Sequence, residues 1–136
     1  MSKIFIDTNI LVYTCDNSEK DKQKQCRNLL KTISLDYIGV ISTQVLQEFY
    51  VSCVKKLKIE PLLAKEIFTS YERFEVVQIS QDVIKEAIDC SILNKISFWD
   101  SLIVSAAQHA KCNEIWSEDL NDGQIIRGLK IVNPIK

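Results

Sequence analysis

A chain of 136 residues that is 46% hydrophobic and carries a net charge of −1 has the size and apolar content of one compact domain, and no general basic coat for a polyanion. Three glycines and two prolines exclude collagen-like sequence, repeat arrays and long disordered linkers, and no apolar run reaches membrane-spanning length. The five cysteines, Cys15, Cys26, Cys53, Cys90 and Cys112, never form a CxxC pair, which argues against a disulfide framework or a thiolate zinc site and for free thiols in a reducing cytosol.

The first element is Lys3-Ile4-Phe5-Ile6, an apolar run of the kind buried on both faces in a parallel sheet. It stops at Asp7, so it also lacks the pattern of a signal peptide. An acid there lies at the carboxyl end of a central strand, where open α/β sheets bind ligands, although Asp is equally common at strand ends as a turn or cap residue. Thr8 or Asn9 is the expected cap of a helix over Ile10 to Cys15. Ser18 and Asp21 have capping-box spacing and open a helix to Ile33 that carries Lys20, Lys22, Lys24, Arg27 and Lys31. A solvated helix face explains that charge run, and a local phosphate-binding patch is the alternative.

Tyr37 to Ile41 reads as a second buried strand. A helix capped by Ser42 or Thr43 then reaches about Leu57, with its stripe at Val45, Leu46, Phe49, Tyr50, Cys53, Val54 and Leu57. Glu48 lies off the centre of that stripe, so periodicity makes it an ordinary surface residue. Pro61 opens a helix to about Arg73, with Leu62, Leu63, Ile67 and Phe68 facing inward. A third strand, Phe74 to Ile79, precedes a helix over Gln81 to Leu93 with Val83, Ala87, Ile88 and Ile92 as its apolar side. Ser97-Phe98-Trp99-Asp100 opens a helix to about Ala110. Glu114 to Ser117 is a fourth strand, ending at Glu118-Asp119. The turn Asn121-Asp122-Gly123 leads to a fifth, Leu129 to Val132, stopped by Pro134. Strands alternating with helices imply βαβ units, a parallel sheet and right-handed crossovers.

Asp100 shares a helical face with Ile103, Val104 and Ala107. A carboxylate on an inward face is costly unless paired, protonated or bound to metal, whereas an acid in a first helical turn is also favoured by the helix dipole. Asp119 repeats the placement of Asp7, with turn chemistry as its alternative. Carboxylates converging on one sheet edge repel each other, and hard cations such as Mg²⁺ or Mn²⁺ relieve that repulsion. His109 falls about half a helical turn around from Asp100 and so points away from such a site. Trp99 and Trp116 are both expected in the core.

Asp7-Thr8-Asn9, Glu48, Trp99-Asp100 and Ser117-Glu118-Asp119, in this order on these elements, resemble a PIN-domain ribonuclease, most closely the VapC-type toxins. The resemblance runs over residues 1–136 as a single PIN domain. It implies an α/β, Rossmann-like, three-layer fold with about five strands in the order 3-2-1-4-5. It also implies a catalytic and metal-binding pocket of Asp7, Glu48, Asp100 and Asp119, with Asn9 and Ser117 in support and Asp122 as an outer acid. The implied activity is Mg²⁺- or Mn²⁺-dependent hydrolysis of RNA by an activated water, leaving 5′-phosphate and 3′-hydroxyl ends. An antitoxin that covers the acidic pocket and a homodimer follow from the same resemblance, and the scattered cysteines point to a cytoplasmic location. Two alternatives differ in chemistry. A haloacid-dehalogenase-like phosphoryl hydrolase usually needs a second acid where Asn9 stands. A non-catalytic PIN-fold binding module should lack some of the four acids.

Overall fold

The computed structural model describes residues 1–136, and its centre is the first strand. Strand β1 (Lys3–Ile6) pairs in parallel with β2 (Ile38–Ser42) on one side and with β4 (Glu114–Trp116) on the other. Beyond β2 lies β3 (Glu75–Val77), and beyond β4 lies β6 (Leu129–Val132), again in parallel. The five expected strands therefore stand in the expected order. A sixth, β5 (Ile125–Ile126), joins β6 antiparallel at the edge and extends the order to β3-β2-β1-β4-β6-β5. Its two-residue turn places Arg127 (φ 49°) and Gly128 (φ 81°) in the left-handed region, the backbone a type I′ hairpin requires. An arginine at such a position hid the hairpin from a sequence reading.

The chain winds outward from β1 to β3, then crosses back to β4. Right-handed crossovers on the outward and return paths put helices on opposite faces and open a crevice between β1 and β4. Helix α1 (Thr8–Tyr13) packs with both α2 (Lys20–Asp36) and α3 (Thr43–Val51), and α2 and α3 also touch β2. Helices α5 (Gln81–Asn94) and α6 (Phe98–His109) run packed together, and α6 lies against β2, β4 and β6. Ile4, Phe5, Ile6, Val40, Ile41, Ile115 and Ile131 of the strands are all buried. Gly39 in β2 permits a close approach, because a Cβ there would stand 2.6 Å from the Phe74 ring.

Several expectations are corrected by packing. Ser18 caps nothing: its N–H and hydroxyl both donate to Asp16 Oδ1, at 3.0 and 2.6 Å, and α2 starts two residues later. The cap of α1 is Asp7 rather than Thr8 or Asn9. Helix α3 changes at Ser52–Lys56 into a π-helical segment. In α4 (Pro61–Ser70) the buried residue is Ala64, while Leu62 and Leu63 are exposed. In α5 the buried stripe is Val83, Ala87 and Cys90, and Ile88 and Ile92 face outward. Both helices present narrow faces to the core, which small residues fill. Trp116 is buried as expected, but Trp99 is exposed. No helix is long and apolar enough to cross a membrane.

Candidate active site

Asp7 begins the site. Its backbone N–H donates to the Trp116 carbonyl at 3.0 Å, which ties the end of β1 to the end of β4. Its side chain caps α1, Oδ1 accepting from Thr8 N at 2.7 Å, and Oδ2 accepts from Ser117 Oγ at 2.7 Å. The cap and site readings of this residue are thus compatible. Asp7 is only 7% exposed. Loss of hydration pushes its carboxyl up to about 6, the Ser117 and Thr8 hydrogen bonds opposing that shift and the charges of Asp119 and Glu48 adding to it.

Ser117 organises the opposite wall. Fully buried, it donates to Asp7 while its Oγ accepts the N–H groups of Asp119 at 3.1 Å and Leu120 at 3.3 Å. The loop after β4 is thereby folded around the Asp7 carboxylate. Asn9 Nδ2 donates to Asp119 Oδ2 at 2.8 Å, so the third residue of the Asp-Thr-Asn motif positions the second strand-end acid. Partial burial raises the Asp119 carboxyl, with Glu118 and Asp100 adding repulsion and Asn9 opposing it. Glu48 reaches the same place from α3, its Oε1 accepting from Thr8 Oγ1 at 2.9 Å. Asp100 enters from the first turn of α6, whose cap Ser97 accepts from Asp100 N at 3.0 Å.

Asp7, Asn9, Glu48, Asp100 and Asp119 all line one cleft of about 140 Å³, together with Thr8, Gln44, Ser52, Trp99 and Ile103. Asp122 does not join them. It accepts from Asn133 N at 2.9 Å and pairs with Lys136, which holds its carboxyl below the usual range and engages it with the C-terminal segment. His109 is exposed and outside the cleft. Of the cations on α2, Lys22 is bound to Glu118 at 2.9 Å and to the Tyr13 hydroxyl at 3.2 Å. Arg27 and Lys31 line a separate groove of about 760 Å³ that shares no residue with the acidic cleft. The sequence reading missed Gln44 and Ser52, single polar residues without a motif, and it placed Trp99 in the core.

No three Asp, Glu, His or Cys side chains stand close enough to enclose an ion by themselves. The donors around the cleft are nevertheless all oxygen, and each of Asp7, Glu48 and Asp119 is held by a hydroxyl or amide donor. Such a set fits a hard divalent cation that keeps part of its water, as Mg²⁺ does, rather than a closed protein cage.

The family model described as "PIN domain" matches residues 4–122. Comparison with curated proteins finds no match. Among solved structures, a toxin–antitoxin complex from Klebsiella pneumoniae superposes with a TM-score of 0.70 at 21% identity, covering 96% of this chain and 97% of that one. VapBC2 from Rickettsia felis, bound to a DNA fragment from its promoter, gives 0.69 at 17% identity, covering 95% and 96%. VapC20 from Mycobacterium tuberculosis, a toxin that cleaves the sarcin–ricin loop, gives 0.66 at 15% identity, covering 85% and 89%.

Proposed function

The chain belongs to the PIN-domain family, and on that premise we propose that it is a Mg²⁺- or Mn²⁺-dependent endoribonuclease, the toxin of a type II toxin–antitoxin pair. The observation that carries this reading is the meeting of Asp7, Glu48, Asp100 and Asp119 around one cleft at the crevice between β1 and β4. Family membership sets aside the haloacid-dehalogenase-like alternative. The presence of all four acids speaks against a non-catalytic module.

In this proposal Asp7, Asp100 and Asp119 hold the cation, with Glu48 as a direct or water-mediated partner. The cation supplies positive charge for the phosphodiester and lowers the pKa of water beside it. The protein's part is positioning. Ser117 and the Thr8 N–H fix both Asp7 oxygens, Asn9 fixes Asp119, and the Thr8 hydroxyl fixes Glu48. Ionised Asp7 is disfavoured by burial, so a cation that replaces its proton gains from relieving that cost. Hydrolysis by water needs no covalent intermediate on the chain and leaves 5′-phosphate and 3′-hydroxyl ends. An antitoxin over the acidic cleft belongs to the same proposal, supported by likeness to toxin–antitoxin structures, and a homodimer and a cytoplasmic location are proposed with it.

The test is cleavage of end-labelled RNA by purified protein with Mn²⁺ or Mg²⁺. Wild type is expected to cleave, and chelator, Asp7→Asn and Asp100→Asn are each expected to reduce the rate by a hundredfold or more while the far-UV spectrum stays unchanged. Undiminished cleavage in excess chelator refutes the metal mechanism. Wild-type protein that cleaves no RNA favours the non-catalytic reading.

A further inference from the structure

Two residues beside the acids have no part in holding them. Trp99 is 64% exposed and lines the acidic cleft immediately before Asp100. An indole is among the costliest side chains to leave in water, and this one is braced rather than loose: its ring meets Phe98 edge-on at 5.2 Å, and its carbonyl accepts from Gln44 Nε2 at 3.3 Å. Gln44 lines the same cleft and is only 7% exposed. Its Oε1 is the one buried side-chain polar atom in the protein without a hydrogen-bond partner. A buried acceptor left alone is unfavourable, and the terminal amide torsion is soft enough to turn that oxygen toward a donor entering the cleft.

Resting on the ribonuclease reading, we propose that Trp99 and Gln44 form a nucleotide subsite beside the acids. The Trp99 indole stacks on an unpaired base next to the scissile phosphate, and Gln44 Oε1 accepts a hydrogen bond from the 2′-hydroxyl of the same strand. Stacking tolerates any base, so Trp99 supplies affinity for single strands. The 2′-hydroxyl is the donor that RNA has and DNA lacks, so Gln44 supplies the choice of RNA. The cation at the acids would neutralise the phosphate between them. Trp99 and Gln44 both touch substrate in this scheme.

The experiment is fluorescence anisotropy in Ca²⁺ with a short labelled single-stranded RNA, its DNA counterpart and a 2′-O-methyl version, with cleavage of the same RNA in Mn²⁺ followed in parallel. Wild type is expected to prefer RNA to both analogues by about fivefold or more, the scale of one net hydrogen bond. Trp99→Ala should weaken RNA and DNA alike by about tenfold, and Trp99→Phe should recover most of that loss. Gln44→Met should bring the RNA preference close to one. If Gln44→Met fails to fold, the 2′-O-methyl and DNA strands on wild type still decide the question. Equal wild-type affinity for the three strands, failure to bind any of them, or a Trp99→Ala variant with unchanged RNA affinity overturns the subsite. So does a Trp99→Ala variant that dissociates a dimer without changing RNA affinity, which would place the indole against a second copy. Selective binding without cleavage sinks the ribonuclease reading and keeps the subsite. Cleavage without RNA preference does the reverse.

Discussion

Both oxygens of Asp7 are hydrogen-bonded, yet burial still holds its carboxyl near 6 against an ordinary value of 3.8. Folded Asp7 therefore retains a proton that the unfolded chain sheds between about pH 4 and 6. Its stabilising contribution is full below 3.8 and lost as pH rises through about 6, an upper bound of about 3 kcal/mol at 1.36 kcal/mol per pH unit. In metal-free protein Asp7→Asn is expected to melt several degrees above wild type at pH 7.5, with the gain vanishing near pH 4, where wild-type Asp7 is already protonated. Calorimetry at the two pH values checks this, and equal melting at pH 7.5 contradicts it. The exchange of Oδ2 for an amide beside Ser117, whose Oγ already accepts two N–H groups, reduces the gain below the bound. Cys15 is a second residue whose neighbours set its chemistry. The adjacent Cys53 thiol lowers the Cys15 thiol below its usual range, with burial opposing and Thr14 and Arg27 assisting, while burial raises Cys26 to about 11 and Cys112 to about 12. Iodoacetamide at pH 7 should alkylate Cys15 first among the five cysteines. Peptide mass mapping that shows uniform labelling would contradict this.

Helix ends carry much of the site. α1 is capped by Asp7, α3 by Ser42, whose Oγ accepts from Val45 N at 3.3 Å, and α6 by Ser97. Asp7 and Asp100 thus lie at or within the first turn of capped helices, and Glu48 in the second turn of one, which fixes the backbone beneath them. The chain has three glycines, and lysines occupy left-handed positions in their stead: Lys58 (φ 59°), Lys95 (φ 55°) and Lys111 (φ 60°). Lys95 closes α5 two residues before the Ser97 cap of α6. A Cβ is unfavourable in that conformation, so Lys95→Gly is expected to stabilise the protein by about 0.5–1 kcal/mol, read as a higher urea midpoint with an unchanged slope. A lower midpoint would mean that the Lys95 side chain contributes packing that outweighs the backbone strain.

At the scale of the molecule, a net charge of −1 leaves the holding of any polyanion to local features, since there is no general basic excess. Burial first, and repulsion from neighbouring acids second, raise both Asp7 and Asp119 in the metal-free fold. A cation that binds only the folded form stabilises it in proportion to occupancy. Saturating Mn²⁺ should therefore raise the wild-type melting temperature by several degrees, and Asp7→Asn should lose most of that increment even though it melts higher without metal. Differential scanning fluorimetry with and without Mn²⁺ checks both halves. An equal increment in the two proteins would place the binding site elsewhere.

The sequence by itself determined five strands alternating with helices in a parallel sheet and placed Asp7 and Asp119 at strand ends, whereas the order of the strands came with the family likeness. An apolar run that stops at an acid, as at Ile6-Asp7, is a local pattern, and βαβ alternation makes the crossovers right-handed. Pattern left Glu48 on the surface, and it was family likeness that drew it into the site. Only the tertiary structure decided which hydroxyl or amide holds each acid: Thr8 reaches Glu48 across 40 residues, and Ser117 reaches Asp7 across 110. It also decided which faces of α4 and α5 are buried and turned Trp99 outward beside Asp100, against the expectation that an indole in an apolar helix belongs to the core. Asp122 parted from the other acids because Lys136 and the Asn133 N–H were nearer partners. Helical and strand periods report what one element prefers, whereas these outcomes depend on which residues from distant elements arrive at the same point, and no local period encodes that.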